Sequence, residues 1–117
     1  MSYVRASRMP AMSEAALQAA VLDLCRLRHL LVHHCRPARM PSGQWATPIQ
    51  GDAGFPDLVI AGRRGLLLRE LKSEHGQVEA GQAVWANRLE VARVDFAVWR
   101  PSDLASGRIA TELGAIT

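Results

Sequence analysis

Residues 57–72, DLVIAGRRGLLLRELK, hold two short apolar runs separated by a polar turn. The first run starts at Leu58 and ends at Ala61, and the second starts at Leu66 and reaches Lys72. Two glycines bound the pair of arginines between the runs, a composition typical of a hairpin connection. This stretch therefore predicts two antiparallel strands joined by a tight turn.

The turn also determines which residues of the two strands face each other. A symmetric turn centred on Arg63 and Arg64, counted as a loop of either two or four residues, places Asp57 directly opposite Glu70. Opposed residues of an antiparallel pair have Cβ atoms about 4.5–5.5 Å apart, a spacing at which two carboxylates repel. We therefore expect a positive charge between them.

Lys72 stands two positions after Glu70, so strand alternation places both side chains on the same face. It is the single lysine in a chain with thirteen arginines. Mg²⁺ is typically held by one or two carboxylates and keeps its other positions for water and phosphate oxygens. A nearby lysine could orient or deprotonate a metal-bound water, or neutralise charge on a pentavalent phosphorane. The pattern predicts a metal-dependent site for phosphodiester hydrolysis.

Four motifs together resemble those of a nuclease family. They are Gly54-x-Pro56-Asp57, Glu70-x-Lys72, Gly76 and Gln82-x-x-Trp85. In this order and register they look like the VRR-NUC domain, a branch of the PD-(D/E)xK nuclease superfamily, over a stretch from about Glu14 to about Asp103. The ordered set is far more specific than Glu-x-Lys alone. The resemblance implies an α/β fold with a restriction-endonuclease-like core, in which helices flank a mixed β-sheet.

The resemblance also implies roles for the residues of the hairpin. Asp57 and Glu70 match the metal-binding acids, and the main-chain carbonyl of Leu71 matches a further metal ligand. Lys72 matches the catalytic lysine. The implied cofactor is Mg²⁺ or Mn²⁺.

Two further polar residues match the family pattern on helices. Glu14 matches the acid that such nucleases place on their first helix, where it would join the catalytic and metal-binding groups. It precedes Leu17 by three positions, which puts it on the stripe expected to face the core. Gln82 matches the polar residue that the following helix directs into the site. Its spacing from Trp85 and Leu89 predicts that it faces the sheet.

Each of these residues also has a plainer interpretation. Asp57 could initiate a turn, and Glu70 with Lys72 could form a solvated pair on an edge strand. Gln82 could lie on an exposed helix surface, and Glu14 could complement the dipole in the first turn of its helix. If there were no catalytic site, all of these plainer interpretations would have to be correct for residues that meet at one place in the fold.

The remaining pattern predicts a single domain over residues 1–117, with a flexible start at 1–12 and a core over about 14–104. The predicted order of elements is αβββαβ. The elements are a helix at Glu14–Arg28, a strand at Leu30–Cys35, the hairpin, a helix at Ala80–Ala92, a strand at Val94–Trp99 and a helical turn at Pro101–Leu104, followed by a tail. The irregular segment from Arg36 to Gly54 is long for a loop in a compact domain, so we expect it to contact a substrate or a partner, or to form part of a dimer.

Composition is ordinary for a globular domain, with 49% hydrophobic and 21% charged residues. No apolar run approaches the roughly 20 residues that span a bilayer, and residues 1–12 lack the apolar region of a secretory signal. We therefore expect a cytosolic protein in which Cys25 and Cys35 are reduced. With His29 and His33 they could bind zinc only if the first helix continued that far, and the β-like run that follows argues against this.

The net charge of +3 favours a polyanionic partner. Arg36 and Arg39 lie in the irregular segment, and Arg63 and Arg64 lie at the hairpin turn. We predict that these arginines and Ser73 contact DNA phosphates, although surface arginines can also serve solubility alone. Aromatic residues are scarce and not interleaved with basic ones, which argues against a stacking platform for single strands. Duplex or branched DNA, contacted through its backbone, is the expected partner.

Stand-alone members of the VRR-NUC family, often phage or bacterial, resemble Holliday-junction resolvases in being small and dimeric. A homodimer would present two active sites to the two opposed strands of a junction. We therefore expect a structure-selective DNA endonuclease in the cytoplasm of a bacterial cell or a phage-infected host. The apolar stretches Val94–Trp99 and Ile109–Ile116 are candidates for the dimer interface. The alternatives are a less selective nuclease that processes flaps or ends, a catalytically silent DNA-binding accessory module on a nuclease fold, and a protein-interaction domain whose acids hold a structural ion.

Overall fold

Helices flank a four-stranded mixed β-sheet in the computed structural model of this chain, and together they form a compact α/β domain. The structure describes residues 11–34, 38–39, 41–46 and 50–117. The helices are α1 (Glu14–Leu27), α2 (Ala80–Val91), α3 (Pro101–Ala105) and α4 (Arg108–Ile116). The strands are β1 (Leu31–His34), β2 (Ala38–Arg39), β3 (Trp45–Ala46), β4 (Leu58–Ala61), β5 (Leu66–Leu71) and β6 (Phe96–Trp99). Within the described ranges, no helix has the length and apolar character needed to cross a membrane.

The hairpin of β4 and β5 forms the centre of the main sheet, whose strand order is β1-β4-β5-β6. Strand β4 is antiparallel to both β1 and β5, whereas β6 joins β5 in parallel. Leu58 opposes Arg69 and Ala61 opposes Leu66, so the predicted hairpin register is confirmed. This register brings Asp57, at the entrance of β4, alongside Glu70.

The hydrophobic core lies on one face of this sheet. Its members are Leu58, Ile60, Leu67, Leu71 and Trp99 from the strands, Leu17, Val21 and Cys25 from α1, Leu30 just before β1, and Ile109, Leu113 and Ile116 from α4. In each helix the buried residues recur every three or four positions, so they form a single stripe against the sheet. Ser13 caps α1 by accepting a hydrogen bond from the N–H of Ala16 at 3.0 Å.

The end of the chain departs from the predicted order αβββαβ. The predicted tail forms α4, which follows α3 after Gly107 in a left-handed conformation with φ 86°. Ile109, Leu113 and Ile116 are buried in the core, which therefore extends past the predicted limit near residue 104. Their helical spacing was the available signal. Trp99 is also buried inside the domain, and the less buried residues of Val94–Trp99 and Ile109–Ile116 stay candidates for the dimer interface.

The last residues of α4 close over the hairpin turn. The N–H of Arg64 donates to the main-chain carbonyl of Ile116 at 3.1 Å. A Cβ on Gly62 would overlap the same carbonyl, so only glycine permits this approach. The hairpin turn and the end of the chain thus stabilise each other.

The segment predicted as irregular contains a small second sheet. Strands β2 and β3 pair antiparallel, with Ala38 opposite Ala46 and Arg39 opposite Trp45. Strands of two residues are too short to show the alternation on which sequence-based assignment depends. Arg36 lies outside the described residues.

Helix α1 ends before the histidines, as the strand pattern predicted. It stops at Leu27, and the chain turns at His29, which has a positive φ of 57°. Cys25 is buried in the core, and burial raises the pKa of its thiol to about 11. In the part of the chain that the structure describes, Cys25 and His33 belong to no group of potential metal ligands. Cys35 lies outside that part.

Arg69 carries a buried positive charge on the core face of β5. Its side chain is 2% exposed, and Nη2 lies 2.7 Å from Glu112 Oε1 and 2.9 Å from Asp95 Oδ1. Nη1 donates to the carbonyls of Leu68 and Asp95. The guanidinium lies 5.1 Å from the ring centre of Trp99, whose indole N–H donates to Glu112. This network ties β5 to α4 and to the start of β6.

Removing the Glu112 carboxylate should strongly destabilise the fold. Glu112→Ala leaves the Arg69 charge buried without its closest acidic partner, so we expect the free energy of unfolding to fall by about 3 kcal/mol. Asp95→Ala should cost less than about 1 kcal/mol, because the Asp95 side chain is 61% exposed and solvent screens its charge. Urea unfolding followed by circular dichroism measures both losses. Equal losses would contradict the assignment of Glu112 as the main partner.

Candidate metal centre

Three carboxylates from distant parts of the chain meet at one end of the hairpin. Glu14 starts α1, Asp57 precedes β4 and Glu70 lies near the end of β5. One oxygen from each lies within 4.8 Å of the other two, and we call these residues the acid cluster. Among the residues that the structure describes, no other three histidine, cysteine, aspartate or glutamate side chains converge in this way. The cluster offers a cation three carboxylate oxygens.

Glu70 is the most buried member of the acid cluster, with 2% of its surface exposed. Its Oε2 accepts a hydrogen bond from Nε2 of Gln82 at 2.6 Å, whereas Oε1 is buried and has no partner among the described residues. Burial, and next the charge of Asp57, raise the pKa of Glu70 to about 8. Leaving a buried carboxylate oxygen without a donor or cation is unfavourable. The Oε1 position is therefore suited to a metal ion.

Gln82 connects the acid cluster to the start of α2. Its Oε1 accepts a hydrogen bond from the N–H of Glu79 at 2.9 Å, while its Nε2 donates to Glu70. Because both ends of the amide have partners, its orientation is determined. The predicted direction of Gln82, toward the hairpin, is confirmed.

Asp57 is held by the backbone of the neighbouring strand. Its Oδ2 accepts a hydrogen bond from the N–H of Leu71 at 2.8 Å. A carboxylate has several acceptor positions, so this bond orients Asp57 and leaves it able to bind a cation. The contact is made by the N–H of Leu71, and the role of the Leu71 carbonyl as a metal ligand stays a prediction.

Lys72 lies directly beside the acid cluster. Its Nζ is 3.7 Å from Glu70 Oε2, and its side chain is 12% exposed. The main-chain N–H of Lys72 donates to the carbonyl of Trp99 at 3.1 Å, which fixes the residue just beyond β5. Its ammonium therefore approaches the same carboxylate oxygen that Gln82 contacts. The predicted common face of Glu70 and Lys72 is confirmed.

Glu14 joins the cluster from the solvent side. It is an exposed residue in the first turn of α1, so it does not border the core as its spacing from Leu17 predicted. Spacing from Leu17 shows which residues share a face of α1, but not how far the core covers that face toward the start of the helix. Partial burial of its carboxylate, and next the charge of Asp57, still raise the pKa of Glu14, while Lys72 acts to lower it.

Two glycines bring the loop before β4 against the start of α2. Gly54 has φ 101°, and a Cβ there would lie 2.6 Å from the main-chain nitrogen of Gln82. A Cβ on Gly81 would lie 3.0 Å from the carbonyl oxygen of Ala53. This close approach of two backbones fixes the separation of Asp57 and Gln82. It also gives a physical reason for the glycine in the motif Gly54-x-Pro56-Asp57.

A cleft of about 1060 Å³ opens in front of the acid cluster. Asp57 and Gln82 line it together with Phe55 and Trp85, whose rings meet edge to face with centroids 5.1 Å apart. The indole N–H of Trp85 donates to the carbonyl of Asp52 at 3.2 Å. The sequence placed the two aromatic residues far apart, so their meeting at the cleft was not predicted.

Arg100 anchors the loop that follows Lys72. Its Nη1 donates to the main-chain carbonyls of Ser73, Glu74 and Gly76 at distances of 2.7 to 3.2 Å. Ser73, predicted to contact DNA, is partly buried in this loop. No local pattern pointed to Arg100, because the carbonyls that it binds lie 24 to 27 residues earlier in the chain.

The arginines predicted to bind DNA do not lie at the acid cluster. Arg63 and Arg64 are exposed at the hairpin turn, whereas Glu70 is near the other end of β5, about 13 Å along the strand. The side chain of Arg39 and all of Arg36 lie outside the described residues. DNA contacts by these four arginines therefore stay predictions.

A different arginine lies next to the cleft. Arg88 is exposed on α2 and lines a shallower groove of about 470 Å³ together with Trp85. It follows Gln82 and Trp85 at intervals of three residues, so the three side chains lie along neighbouring turns of the helix. That spacing was a signal in the sequence, but the directions of these side chains relative to the hairpin were needed to interpret it.

No family model, curated protein or solved structure matches this chain. The resemblance to the VRR-NUC domain therefore rests on residues of the chain itself. Among those residues, the acid cluster, Lys72 and Gln82 are in contact in the folded protein.

Mg²⁺ should stabilise the protein through the acid cluster. At a hundredfold excess over its Kd, we expect Mg²⁺ to raise the free energy of unfolding by about 2.7 kcal/mol and to raise Tm accordingly. Glu70→Gln preserves the shape of the side chain but removes its charge, so the Mg²⁺ effect should be lost. Glu90→Gln, at an exposed acid on α2, is the matched control. Thermal melts in Mg²⁺ and in EDTA measure the effect, and an equal Mg²⁺ shift in all three proteins would contradict the site.

The free energy of unfolding should also depend on pH differently in the parent and in Glu70→Gln. The folded-state pKa of Glu70, about 8, lies above its ordinary value of 4.5. In EDTA, the contribution of Glu70 to the free energy of unfolding is therefore fully present below about pH 4.5. This contribution is lost as the pH rises through 8. Glu70→Gln should show a weaker loss over this range than the parent.

Gly54→Ala should destabilise the protein more than Gly51→Ala. Both glycines have positive φ, 101° and 94°, but only Gly54 has backbone atoms within reach of a Cβ. We expect a loss of about 1 kcal/mol for Gly51→Ala from the backbone conformation alone. Gly54→Ala should lose about 2 kcal/mol more, because its methyl group overlaps the start of α2. Urea unfolding measures the difference, and similar losses would show that the loop can move away from α2.

Proposed function

We propose that this chain is a metal-dependent deoxyribonuclease, and more specifically a structure-selective endonuclease of the VRR-NUC type that hydrolyses phosphodiester bonds. The observation that carries the proposal is Glu70 Oε1, a buried carboxylate oxygen with no partner among the described residues. Glu70 belongs to the cluster of three acids, and Lys72 approaches the other oxygen of its carboxylate, Oε2. A divalent cation would compensate the clustered negative charge.

The acid cluster suits a hard divalent cation such as Mg²⁺ or Mn²⁺. Glu14, Asp57 and Glu70 offer only carboxylate oxygens, the ligands that these ions prefer, and the cluster contains no thiolate or imidazole. The Leu71 carbonyl would add a further oxygen, as the family resemblance implies. When bound, the ion supplies polarisation of the phosphate group and acidification of a water molecule.

Lys72 has two possible roles in the hydrolysis. The oxygen of the attacking water forms a bond to phosphorus, and the bond from phosphorus to the leaving oxygen breaks. The Lys72 ammonium can neutralise charge that develops on the phosphoryl oxygens, or, when neutral, the amine can accept the proton of the attacking water. Its small exposure and its approach to Glu70 support a role in either step.

Gln82 acts as a positioning residue. By donating to Glu70 Oε2, it fixes the orientation of a carboxylate that belongs to the acid cluster. Its second contact, from the N–H of Glu79, keeps the amide from rotating. Gln82 thereby holds the Glu70 carboxylate in a fixed position relative to α2.

Duplex or branched DNA is the proposed substrate. The net charge of +3 and the exposed pair Arg63 and Arg64 support a polyanionic partner. The resemblance supports a restriction-endonuclease-like core and a homodimer whose two sites act on the opposed strands of a four-way junction. In such an assembly the hairpin arginines would contact phosphates away from the point of cleavage.

Three alternatives predict different behaviour from the same fold. A catalytically silent accessory module would bind DNA without cutting it, and the contacts among Asp57, Glu70 and Lys72 argue against it. A protein-interaction domain with a structural ion would show no salt-sensitive binding of DNA. A nuclease that processes flaps or ends would use the same acid cluster and differ in the DNA structure that it cuts.

Cleavage of labelled four-way junction, flap and linear duplex DNA tests the proposal. We expect the parent protein to cut with Mg²⁺ or Mn²⁺ and not with EDTA. Glu70→Gln and Lys72→Ala should each lower the rate by at least about 10²-fold, because the first removes a charge that would hold the metal ion and the second removes a charge that would act on the reacting phosphate. Glu90→Gln, which changes an exposed acid, should cut at the parent rate.

The outcomes separate the proposal from its competitors. Salt-sensitive DNA binding without cleavage by either metal would overturn the enzymatic proposal in favour of the accessory module. Cleavage that survives Glu70→Gln would show that the acid cluster is not the site. The preferred DNA structure, once cleavage is seen, distinguishes a junction-selective enzyme from a flap or end nuclease.

A further inference from the structure

We infer that the cleft holds an unpaired nucleotide, whose base stacks on the aromatic pair Phe55 and Trp85 and whose neighbouring phosphate meets Arg88. This inference rests on the proposed nuclease function and names the substrate class of the same site. Among the DNA structures proposed above, it favours one with a single-stranded stretch beside the cut, such as a flap or a splayed arm, over a fully paired duplex or four-way junction.

The aromatic pair is placed for contact with a ligand. Phe55 is 43% exposed, although an aromatic ring of its size is usually buried in the core. Its ring meets Trp85 at an interplanar angle of 88°, so one ring supports the other. Trp85 is in turn fixed by its hydrogen bond to the carbonyl of Asp52. The pair is therefore a rigid apolar surface with an accessible face.

Both aromatic residues border the acid cluster. Phe55 lies two residues before Asp57 in the same loop, and Trp85 lies one helical turn after Gln82. All four residues line the cleft of about 1060 Å³. The acid cluster and the aromatic pair therefore lie side by side. Through a bound metal ion the acid cluster would match the phosphate of one nucleotide, and the aromatic pair would match its base.

Arg88 supplies a positive charge on the far side of the aromatic pair. It lines a groove of about 470 Å³ whose lining shares Asp52, Ala53, Gly81 and Trp85 with that of the main cleft, so the two depressions adjoin at Trp85. Successive steps of three residues along α2, from Gln82 to Trp85 and from Trp85 to Arg88, each advance about 4.5 Å. The order of surfaces is therefore acid cluster, aromatic pair and guanidinium, which follows the alternation of phosphate and base along a single strand.

The geometry selects against a fully paired base. A base inside a duplex is already stacked on its neighbours and must leave the helix before it can reach an aromatic side chain. An unpaired base has no such barrier, and stacking on a protein ring tolerates any base because every base has a π-face. This inference departs from the expectation that the few aromatic residues do not serve single strands, because the fold brings Phe55 and Trp85 together.

Cleavage with Mg²⁺ is compared on two labelled DNAs of the same sequence, one fully paired and one with an unpaired arm that starts at the cut. The parent should cut the second faster. Phe55→Leu keeps an apolar side chain but loses the ring, so it should cut the unpaired substrate at least about fivefold more slowly. Phe55→Tyr keeps an aromatic face and should recover most of the rate that Phe55→Leu loses.

Arg88 is tested with the same two DNAs. Arg88→Gln should weaken binding of the unpaired substrate and make that binding less sensitive to salt, because one phosphate contact is lost. Arg93→Gln and Val91→Ala change exposed residues at the end of α2 and just beyond it, and should behave as the parent. Thermal melts of every variant check that folding is retained.

A binding measurement separates failure of this inference from failure of the nuclease proposal. A single-stranded oligonucleotide with one 2-aminopurine is titrated with the parent and with Phe55→Leu, using Ca²⁺ in place of Mg²⁺. Stacking quenches the fluorescence of the base analogue, so the parent should quench it and Phe55→Leu should not. Quenching by the parent without any DNA cleavage would support the nucleotide site and would contradict the nuclease proposal.

The opposite result would overturn the inference alone. If Phe55→Leu cuts both DNAs at parent rates and quenches 2-aminopurine like the parent, while Glu70→Gln is inactive, the nuclease stands and the aromatic pair does not bind bases. Absence of quenching by the parent itself would also overturn it. The aromatic surface would then be assigned to contact with another protein.

Discussion

The burial of Arg69 on one face of β5 fixes this strand and, through it, the position of Glu70 on the other face. The two residues are neighbours, so alternation along the strand sends their charges to opposite sides of the sheet. Asp95 and Glu112 compensate Arg69 on the core side. A slip of one residue in the pairing with β4 would exchange the two charges and leave both in the wrong surroundings. The buried network therefore protects the register on which the acid cluster depends.

Glu70 is unfavourable for folding but well placed for binding a cation. Burial and the charge of Asp57 disfavour its ionised form, and the nearby Lys72 offsets only part of this effect, so its pKa stays raised at about 8. Hydrophobic residues of similar size would give a more stable domain. Residues that lower stability in this way are concentrated at functional sites, where a ligand supplies the missing interaction. The acid cluster fits this pattern because one of its three carboxylates, Glu70, has a buried oxygen with no partner among the described residues.

The sequence predicted the parts of the site that depend on local periodicity. The hairpin register followed from its turn, and the direction of Gln82 followed from helical spacing, so both were correct. Arg69 and Glu112 are 43 residues apart, and no local pattern reveals that they form an ion pair. The burial of α4 was missed for a related reason. Its apolar stripe shows that the helix must pack against something, but it does not show which surface it packs against. Glu14 was expected to border the core but is exposed, since spacing shows which residues share a helix face and not how much of that face is covered.

The contact between Gly54 and the start of α2 couples the two surfaces of the cleft. The loop before β4 carries Phe55 and Asp57, and α2 carries Trp85 and Gln82, so each element contributes one residue to the aromatic pair and one to the acid cluster or its support. Because the backbones touch where any side chain would collide, the loop and the helix have a single close arrangement. A movement of the loop away from α2 would change both the aromatic pair and the separation of Asp57 from Gln82. Substrate preference and metal binding in this protein are therefore expected to change together whenever this contact is altered.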